Sequence, residues 1–382
     1  MTKDDAVAIV GVGTTPFGPL YQDRSVRRSP YDLAARAYSA ALADAGLEPG
    51  DVDGLICARI PSYTRLADMI GLRRPGLALS IDGAGRMSAV AVQLAMRAIQ
   101  SGQASVVALV YGNNGRSAGA TYGGDETGGY AAPTSAYDTV YGMTSPGAYV
   151  AMMYQRYRER YAVPDLALAP LAINNRDHAK LNPDAVMRAD LTMDDYAAAR
   201  FIAEPLRLYD YCLINDGAVA MILTSETIAR RLDRPVVTIR ATAAMGDLTN
   251  FYTSDDFFQE SCQAVSRQVF TAAGMTTKDV DCAQIYDNFT PTILFSLEGF
   301  GYCPPGTAWD WVRDGRIGLG GDLPVNTSGG HTSESYMQGW ALHVEAVRQL
   351  RGEAGARQVP NCEVVQYICA SPIVASHILV RS

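Results

Sequence analysis

The chain repeats one ten-residue pattern in its two halves. Residues 44–53 read DAGLEPGDVD and residues 272–281 read AAGMTTKDVD, and each follows a helical spacing of apolar residues and precedes a strand-like run. The end of a helix followed by a turn can have a similar sequence in unrelated segments, without any duplication. A second echo favours duplication, because the apolar runs SVVALVYGN near residue 110 and EVVQYICAS near residue 367 stand at corresponding places. We therefore predict two homologous halves, residues 1–232 and 233–382.

The first half alternates strand-like and helix-like segments. AVAIVGVGTTPFG predicts a buried strand that runs into a glycine-rich turn, and YDLAARAYSAALADAGL then carries apolar residues at helical spacing. The segment DVDGLICARI predicts a second strand. The alanine-rich block 89–102 predicts a buried helix, and SVVALVYG predicts another strand after it. Such alternation is typical of an α/β sheet with helices on its faces.

Residues 113 to about 210 interrupt this pattern and predict an insertion in the N-terminal half. GGDETGGYAAPTSAYD reads as a loop, whereas YVAMMYQRYRERY and DDYAAARF read as helices. Long loops in compact domains usually serve a function or lack order. We interpret the insertion as a cover over an active-site mouth, the alternative being a surface excursion without functional consequence.

Composition excludes several classes of function. The net charge is −8 without a basic stripe, which argues against nucleic-acid binding. Seven cysteines without a CxxC pair indicate reduced thiols, and four histidines without zinc-ligand spacing argue against a metal site. No apolar run reaches the roughly 18 residues of a membrane span, and MTKDDAVAIVGVG fits neither a signal nor a transit peptide. We expect a cytoplasmic protein that binds neither nucleic acid nor membrane.

Three motifs carry a resemblance to a known family. The segments LYDYCLINDGAVAMILTS, QIYDNF and PVNTSGGHTSESYMQGW together resemble the thiolase superfamily, within it the sterol-carrier-protein thiolases and their lipid-transfer-protein relatives. The resemblance covers nearly the whole chain. It implies an α/β thiolase fold: two duplicated βαβαβαββ halves in a layered αβαβα arrangement, with an inserted loop region.

The chain departs from the family at the nucleophile. Thiolases form an acyl-enzyme on a cysteine at the start of a long buried helix, and that position aligns with residues 82–88, at Gly85. No cysteine lies between Cys57 and Cys212, so the thiolate that acyl transfer requires is missing there. Ser88 would serve as a substitute only with an adjacent base.

Two tyrosines stand at two positions that are catalytic in the family. Tyr286 begins the motif YDNF, where relatives carry a residue that holds the thioester or ketone oxygen, and Tyr336 replaces the basic histidine of the next motif. Cys369 aligns with the second, proton-transferring cysteine, although the glycines after it have become Ala-Ser-Pro. The alternatives are a packing role for each tyrosine and a small buried hydrophobe for Cys369.

The loop before Tyr336 supplies the remaining candidate residues. We expect Asn326, Gly329 and Gly330 to shape a substrate-binding loop beneath Tyr336, since glycines permit close backbone approach to a ligand. His331 is a supporting partner. Arg86, Arg116 and Arg176 are candidates for holding the phosphates of coenzyme A, solvated surface charge being the alternative for each.

Two tyrosines without a nucleophile suit a retro-aldol cleavage. That reaction needs a base for a hydroxyl proton, support for the departing thioester enolate and a proton for its carbon, but no acyl-enzyme. The pair, fifty residues apart, resembles the aldolases that shorten steroid side chains. The resemblance implies cleavage of a tertiary β-hydroxyacyl-CoA to a ketone and a shorter acyl-CoA such as propionyl-CoA, with Tyr336 as base and Tyr286 as proton donor, or the reverse.

The same resemblance implies partners and no cofactor beyond the CoA thioester substrate. We expect a homodimer core, with SVVALVYGN as a candidate pairing strand, and a zinc-ribbon/OB-fold partner protein that completes a heterotetramer. Two other functions stay open at this point: a thiolase or acyltransferase that uses Cys369 or another thiol, and a non-catalytic lipid or acyl-CoA carrier.

Overall fold

The computed structural model describes residues 6–17, 28–81, 87–119, 145–246 and 255–382. Its strands are β1 (Val7–Thr14), β2 (Gly54–Ala58), β3 (Leu77–Ile81), β4 (Val106–Asn113), β5 (Phe201–Ala203), β6 (Leu206–Arg207), β7 (Gly217–Ser225), β8 (Val237–Gly246), β9 (Cys282–Ile285), β10 (Val364–Cys369) and β11 (Ile373–Arg381). Its α-helices are α1 (Pro30–Ala45), α2 (Tyr63–Met69), α3 (Met87–Gln100), α4 (Pro146–Tyr161), α5 (Ala169–Lys180), α6 (Met193–Ala198), α7 (Glu226–Ala229), α8 (Gln259–Ala273), α9 (Pro291–Gly299), α10 (Ala308–Trp311) and α11 (Trp340–Arg351).

Nine strands form one mixed sheet with internal symmetry. Their order is β3-β2-β4-β7-β1-β8-β11-β10-β9, and the halves join through antiparallel pairing of β1 with β8. Counted outward from this seam, the N-terminal strands follow in the order β1, β7, β4, β2 and β3. Their C-terminal counterparts are, in the same order, β8, β11, β10 and β9, followed by a parallel bridge from Ala283 to Val325. Each corresponding pair of neighbours has the same parallel or antiparallel sense. The predicted duplication is confirmed.

Helices and strands alternate in five layers. Helices α3 and α11 lie in the centre, because α3 contacts β4 and β7 but also β11, while α11 contacts β10 and β11 but also β1 and β7. In one outer layer, α1 packs on β1, β7 and β4. In the opposite outer layer, α8 packs on β8 and β11. Three separate apolar cores fill the spaces between these layers. The αβαβα arrangement is therefore confirmed.

The repeated sequence pattern corresponds to the same helix ending in both halves. Helix α1 stops at Gly46 and helix α8 at Gly274, with φ angles of 68° and 69°, a left-handed conformation that glycine adopts without steric cost. A short 3₁₀ turn follows in each case, at Pro49–Asp51 and at Thr277–Asp279. The two patterns then lead directly into β2 and β9.

The first strand differs from its prediction. We expected a glycine-rich turn after the buried run, but β1 continues to Thr14. Its glycines make room for α1, because a Cβ atom at Gly11 would lie 2.2 Å from the carbonyl oxygen of Ala41 and one at Gly13 2.3 Å from that of Ala37. The glycines therefore reflect close packing of helix on strand.

Two expectations about the N-terminal half also need correction or limits. The run SVVALVYGN forms β4, which lies inside the sheet between β2 and β7, so the idea that it pairs two subunits is wrong. A buried interior strand and a pairing strand carry the same apolar pattern. The predicted insertion contributes α4, α5, α6, β5 and β6, whereas its loop GGDETGGYAAPTSAYD lies outside the described residues. Within the described ranges no helix is long and apolar enough to cross a membrane.

Candidate active site

A buried and a half-buried tyrosine meet where the C-terminal ends of β9 and β10 lie side by side. Tyr286 follows β9 directly, and its backbone N–H donates to the carbonyl of Ile368 on β10 at 2.8 Å. Tyr336 follows a single π-helical turn, Gly330–Glu334. The two phenol oxygens lie 2.9 Å apart, within hydrogen-bond distance. The chain therefore brings together the two positions that the sequence predicted as catalytic.

Burial favours the protonated form of Tyr286. The side chain of Tyr286 is 3% exposed, and burial first, then the neighbouring Tyr336 and Cys369, raise the pKa of Tyr286 well above its usual value. Tyr286 thus tends to retain its proton, and either phenol can donate in the pair. A hydrogen bond donated by Tyr286 would stabilise a phenolate at Tyr336.

His331 supports both tyrosines and is itself held by Asp287. Its ring centroid lies 4.8 Å from that of Tyr286 and 5.3 Å from that of Tyr336, edge-on in both cases. Nε2 accepts the backbone N–H of Gly339 at 3.0 Å, and Nδ1 lies 3.0 Å from Oδ1 of Asp287. These contacts assign the ring proton to Nδ1. Nε2 is thus bonded to the backbone and Nδ1 lies close to the Asp287 carboxylate, which holds the ring beside the two phenols.

The loop that precedes His331 is tied to the same strand as Tyr286. Asn326 has a φ of 53°, and its side chain accepts the N–H of Ile285 at 2.7 Å and donates to the carbonyl of Ile285 at 2.9 Å. A Cβ at Gly329 would lie 2.6 Å from the Cβ of Ala179, and one at Gly330 2.4 Å from Oδ2 of Asp287. The loop is therefore pressed against the carboxylate that holds His331.

Cys369 and Ser88 lie near Tyr286. Cys369 is fully buried, with its sulfur 3.7 Å from Oγ of Ser371. Oγ of Ser88 lies 3.0 Å from the phenol oxygen of Tyr367, whose pKa burial raises well above its usual value. A phenol that keeps its proton is a poor base for Ser88, so this contact gives the serine no activation. Gly85, the aligned nucleophile position, lies outside the described residues.

A segment of the N-terminal half binds each of these C-terminal loops, which sequence reasoning missed. The N–H of Cys212 donates to the carbonyl of Asn288 at 3.0 Å, and the N–H of Leu213 donates to that of His331 at 3.0 Å. Oδ1 of Asn215 accepts the N–H of Tyr336 at 2.8 Å. These residues belong to the motif LYDYCLINDG, which carries part of the family resemblance. The sequence alone assigned no role to its individual residues.

A cavity of about 500 Å³ is lined by residues next in sequence to His331 and by the segment that binds the tyrosine loops, although neither Tyr286 nor Tyr336 is part of its lining. Its wall includes Thr332, the neighbour of His331, and Cys212, whose charge is one of those that raise the pKa of Tyr286. The complete lining is Arg116, Arg176, Met187, Arg200, Ile202, Leu208, Tyr209, Tyr211, Cys212, Leu213, Ile214 and Thr332. It combines apolar side chains with three guanidinium groups, a composition that suits a ligand with an apolar body and an anionic end.

Two of the three arginines proposed from sequence line this cavity. Arg176 is 4% exposed; its Nε donates to Oγ of Ser333 and its Nη1 to the carbonyl of Ala189, each at 3.1 Å. Arg116 lines the same wall, and Arg200, which sequence reasoning did not single out, joins them. Arg86 lies outside the described residues. Among the side chains of the described ranges, no group of three or more His, Cys, Asp or Glu is arranged to hold a metal ion.

Comparison with known protein families matches both halves of the chain. The family described as "Thiolase, N-terminal domain" matches residues 7–227, and that described as "Thiolase C-terminal domain-like" matches residues 243–377. Together these two matches cover most of the sequence.

Individual relatives agree with the family match. The chain is 37% identical to a 17-hydroxy-3-oxo-4-pregnene-20-carboxyl-CoA lyase of Mycobacterium tuberculosis, over 90% of this chain and 91% of the relative. It is 35% identical to a steroid side-chain-cleaving aldolase of Thermomonospora curvata, over 91% and 90% of the two chains. A solved structure described as "Ltp2-ChsH2(DUF35) aldolase" superposes with a TM-score of 0.88 at 31% identity, covering 100% of this chain and 99% of that one.

Proposed function

Because the chain belongs to the thiolase family, yet has no cysteine at the aligned nucleophile position and carries a hydrogen-bonded pair of tyrosines at two other aligned positions, we propose that it is a carbon–carbon lyase. It cleaves a β-hydroxyacyl-CoA with a tertiary hydroxyl, a steroid side chain, to a ketone and a shorter acyl-CoA such as propionyl-CoA. The observation that carries the proposal is the 2.9 Å contact between the phenol oxygens of Tyr286 and Tyr336. The relatives named as steroid lyase and aldolase support it.

The pair divides the proton work of the cleavage. Tyr336, as phenolate, takes the proton from the substrate's tertiary hydroxyl; the Cα–Cβ bond breaks, and its electron pair becomes the thioester enolate while the alkoxide carbon becomes the ketone. Tyr286 then gives its proton to the enolate carbon, and Tyr336 returns the proton that it took to Tyr286. Protons and electrons balance without free coenzyme A, an oxidant or a metal ion.

Cys369 is a candidate for the same proton transfer. Its proximity to Tyr286 is reflected in the pKa of that phenol, which Cys369 helps to raise. The thiol is fully buried at the end of β10. We assign Cys369 a role in delivering or holding the proton for the enolate carbon, with no acyl-enzyme formed.

Asn326, Gly329, Gly330 and His331 complete the site as a binding loop. Because the polar atoms of Asn326 are both bonded to Ile285, its part is to hold the loop in place. His331 keeps the two phenols in register through ring contacts. The substrate's thioester then lies between this loop and the cavity, whose apolar wall accommodates the acyl group and whose arginines accommodate phosphates.

The assembly that we propose has two kinds of contact. Strand β3 ends the sheet with one neighbour, and Leu77, Leu79 and Ile81 on it are half-buried, which makes this edge the better candidate for a homodimer core. The similarity to the structure described as "Ltp2-ChsH2(DUF35) aldolase" supports a partner protein, which we propose to be of zinc-ribbon/OB-fold type and to form a heterotetramer with this chain.

The test is turnover of a tertiary β-hydroxyacyl-CoA by the full chain, alone and coexpressed with a candidate partner protein. We expect mass spectrometry to detect a ketone and a shortened acyl-CoA in the absence of added coenzyme A. Cleavage only of a 3-oxoacyl-CoA, and only with free coenzyme A, would indicate a thiolase. Binding of the acyl-CoA without any turnover would indicate a carrier.

A further inference from the structure

Tyr336 has little regular structure to hold it. It lies after the π-helical turn that ends at Glu334 and before the short turn that precedes α11, in neither a helix nor a strand. Its backbone N–H therefore makes no helix or sheet hydrogen bond. It donates instead to Oδ1 of Asn215 at 2.8 Å.

Asn215 is itself fixed by the N-terminal half. Its side chain is 0% exposed. Its carbonyl accepts from Nδ2 of Asn113, at the end of β4, at 3.1 Å, and its own Nδ2 donates to the carbonyl of Asp216 at 3.0 Å. Oδ1 of Asn113 in turn accepts from Gly115 and from Arg59. The amide oxygen that receives Tyr336 is thus part of a connected and buried network.

The two catalytic phenols are consequently anchored to different halves. Tyr286 is bonded through its backbone to Ile368 of β10, in the C-terminal half. Tyr336 is bonded through its backbone to Asn215, which lies two residues before the start of β7 in the N-terminal half. The separation of the two phenol oxygens depends on both anchors, and a misplacement of about 1 Å can cost a reaction roughly 100-fold in rate.

We propose that Asn215 is the positioning residue for Tyr336, setting the reach of the catalytic base through its backbone. The inference rests on the proposed function for its kinetic consequence, but the structural relationship that it asserts is independent of the reaction. Asn215 acts through Tyr336 and takes no part in the proton transfer.

Three variants of the full chain test this. Asn215→Leu removes the acceptor at nearly constant volume, and Asn215→Asp retains an oxygen at the same place. Thr224→Val is the matched control, because Thr224 also donates a buried hydrogen bond, to the carbonyl of Ser105 at 2.8 Å, but at the far end of β7. Measured quantities are kcat, KM, the melting temperature and hydrogen exchange of a peptide that contains residues 331–339.

For Asn215→Leu we expect kcat to fall by about 30- to 100-fold with KM changed by less than about threefold, because a displaced base slows the chemical step more than binding. Exchange of the 331–339 peptide should accelerate, since the N–H of Tyr336 loses its acceptor. Asn215→Asp should recover at least about tenfold in kcat. Thr224→Val should lower the melting temperature by about as much as Asn215→Leu does, while its kcat stays within about twofold of wild type.

An unchanged exchange rate of the 331–339 peptide in Asn215→Leu overturns the inference, as does a kcat loss that Thr224→Val shares. If the wild-type chain turns over no β-hydroxyacyl-CoA, the proposed function fails, whereas the exchange comparison still decides whether Asn215 holds Tyr336.

Discussion

Asp53 and Asp281 perform the same task at equivalent places in the two halves. Oδ1 of Asp53 accepts the backbone N–H groups of Ser105 and Val106, each at 2.8 Å, at the start of β4. Oδ2 of Asp281 accepts those of Glu363 and Val364, also at 2.8 Å, at the start of β10. The last aspartate of the repeated pattern thus ties the entry of one strand to the entry of its parallel neighbour, which gives the repeat a physical reason.

The aspartate ties predict matched losses of stability. Replacing Asp53 or Asp281 by alanine leaves two strand-initiating N–H groups without an acceptor, which should cost about 1–3 kcal/mol in the free energy of unfolding. Urea denaturation followed by circular dichroism measures this. The control is Asp322→Ala, at an exposed ion pair with Arg316, where we expect a loss below about 1 kcal/mol. Equal losses in all three variants would contradict the assignment.

The phenol groups of the site predict large and selective kinetic losses. Tyr336→Phe and Tyr286→Phe each remove a proton-transfer group but keep the ring, so kcat should fall by about 10²- to 10⁴-fold. Tyr302→Phe is the control, because the half-buried Tyr302 donates its hydroxyl to Oε1 of Gln366 at a distance of 2.5 Å and is not among the candidate site residues. That variant should keep near-wild-type kcat. Retention of full activity in Tyr336→Phe would sink the assignment of the base.

Two glycines with similar backbone angles should respond differently to alanine. Gly339 has a φ of 85°, and a Cβ there would lie 2.5 Å from the phenol oxygen of Tyr367 and 2.6 Å from Oγ of Ser88. Gly352 has a φ of 76° and open space around it. Gly352→Ala should cost only the backbone strain, about 1 kcal/mol. Gly339→Ala adds a steric clash and displaces the N–H that His331 accepts, so both melting temperature and kcat should fall further.

The arginines of the cavity predict a dependence of binding on the phosphates of coenzyme A. Arg200 is exposed at the cavity wall, so Arg200→Ala should raise the KM for an acyl-CoA by about 3- to 10-fold with kcat nearly unchanged. The same acyl group on pantetheine, which lacks the nucleotide phosphates, should show no such difference between wild type and variant. Arg313→Ala, at an exposed ion pair with Asp310, is the surface control. An equal effect on both thioesters would argue against phosphate binding.

A buried carboxyl predicts a fall of stability with rising pH. Burial first, then Glu345, raises the pKa of Glu334 from 4.5 to about 8, so the folded protein holds this proton where the unfolded chain has lost it. The stability that the neutral acid contributes is fully present below pH 4.5 and is lost as the pH rises to about 8. Asp210, with its pKa raised from 3.8 to about 6, adds a loss of the same sign at lower pH.

The variant Glu334→Gln separates these two contributions. Its amide can still accept from Nδ2 of Asn182 and meet Oγ of Ser328, the two groups that bind the carboxyl. We expect its melting temperature to stay level between pH 6 and 8, where that of wild type falls. A wild-type melting temperature that rises over this interval would contradict the raised pKa.

The sequence predicted those features that a local pattern encodes. Alternating apolar segments and the repeat predicted an α/β sheet in two halves, and the resemblance to thiolase motifs implied the layers and placed Tyr286 and Tyr336 at one site. The bond between Asn215 and Tyr336 joins a side chain to a backbone N–H 121 residues away, and no local pattern specifies such a pair. The continuation of β1 was missed for a related reason, because the helix that requires small residues at Gly11 lies elsewhere in the chain.

The seam between the halves is short. Strands β1 and β8 pair through Val7 with Ile239, Ala8 with Thr238 and Ile9 with Val237. Contacts of α11 with β1 and β7 therefore do much to fix how the halves sit together. We expect a mutation in these contacts to alter the alignment of Tyr286 and Tyr336, the proposed acid and base, without altering either residue. For that reason, amino-acid substitutions in the central layer should lower the catalytic rate well before they prevent folding.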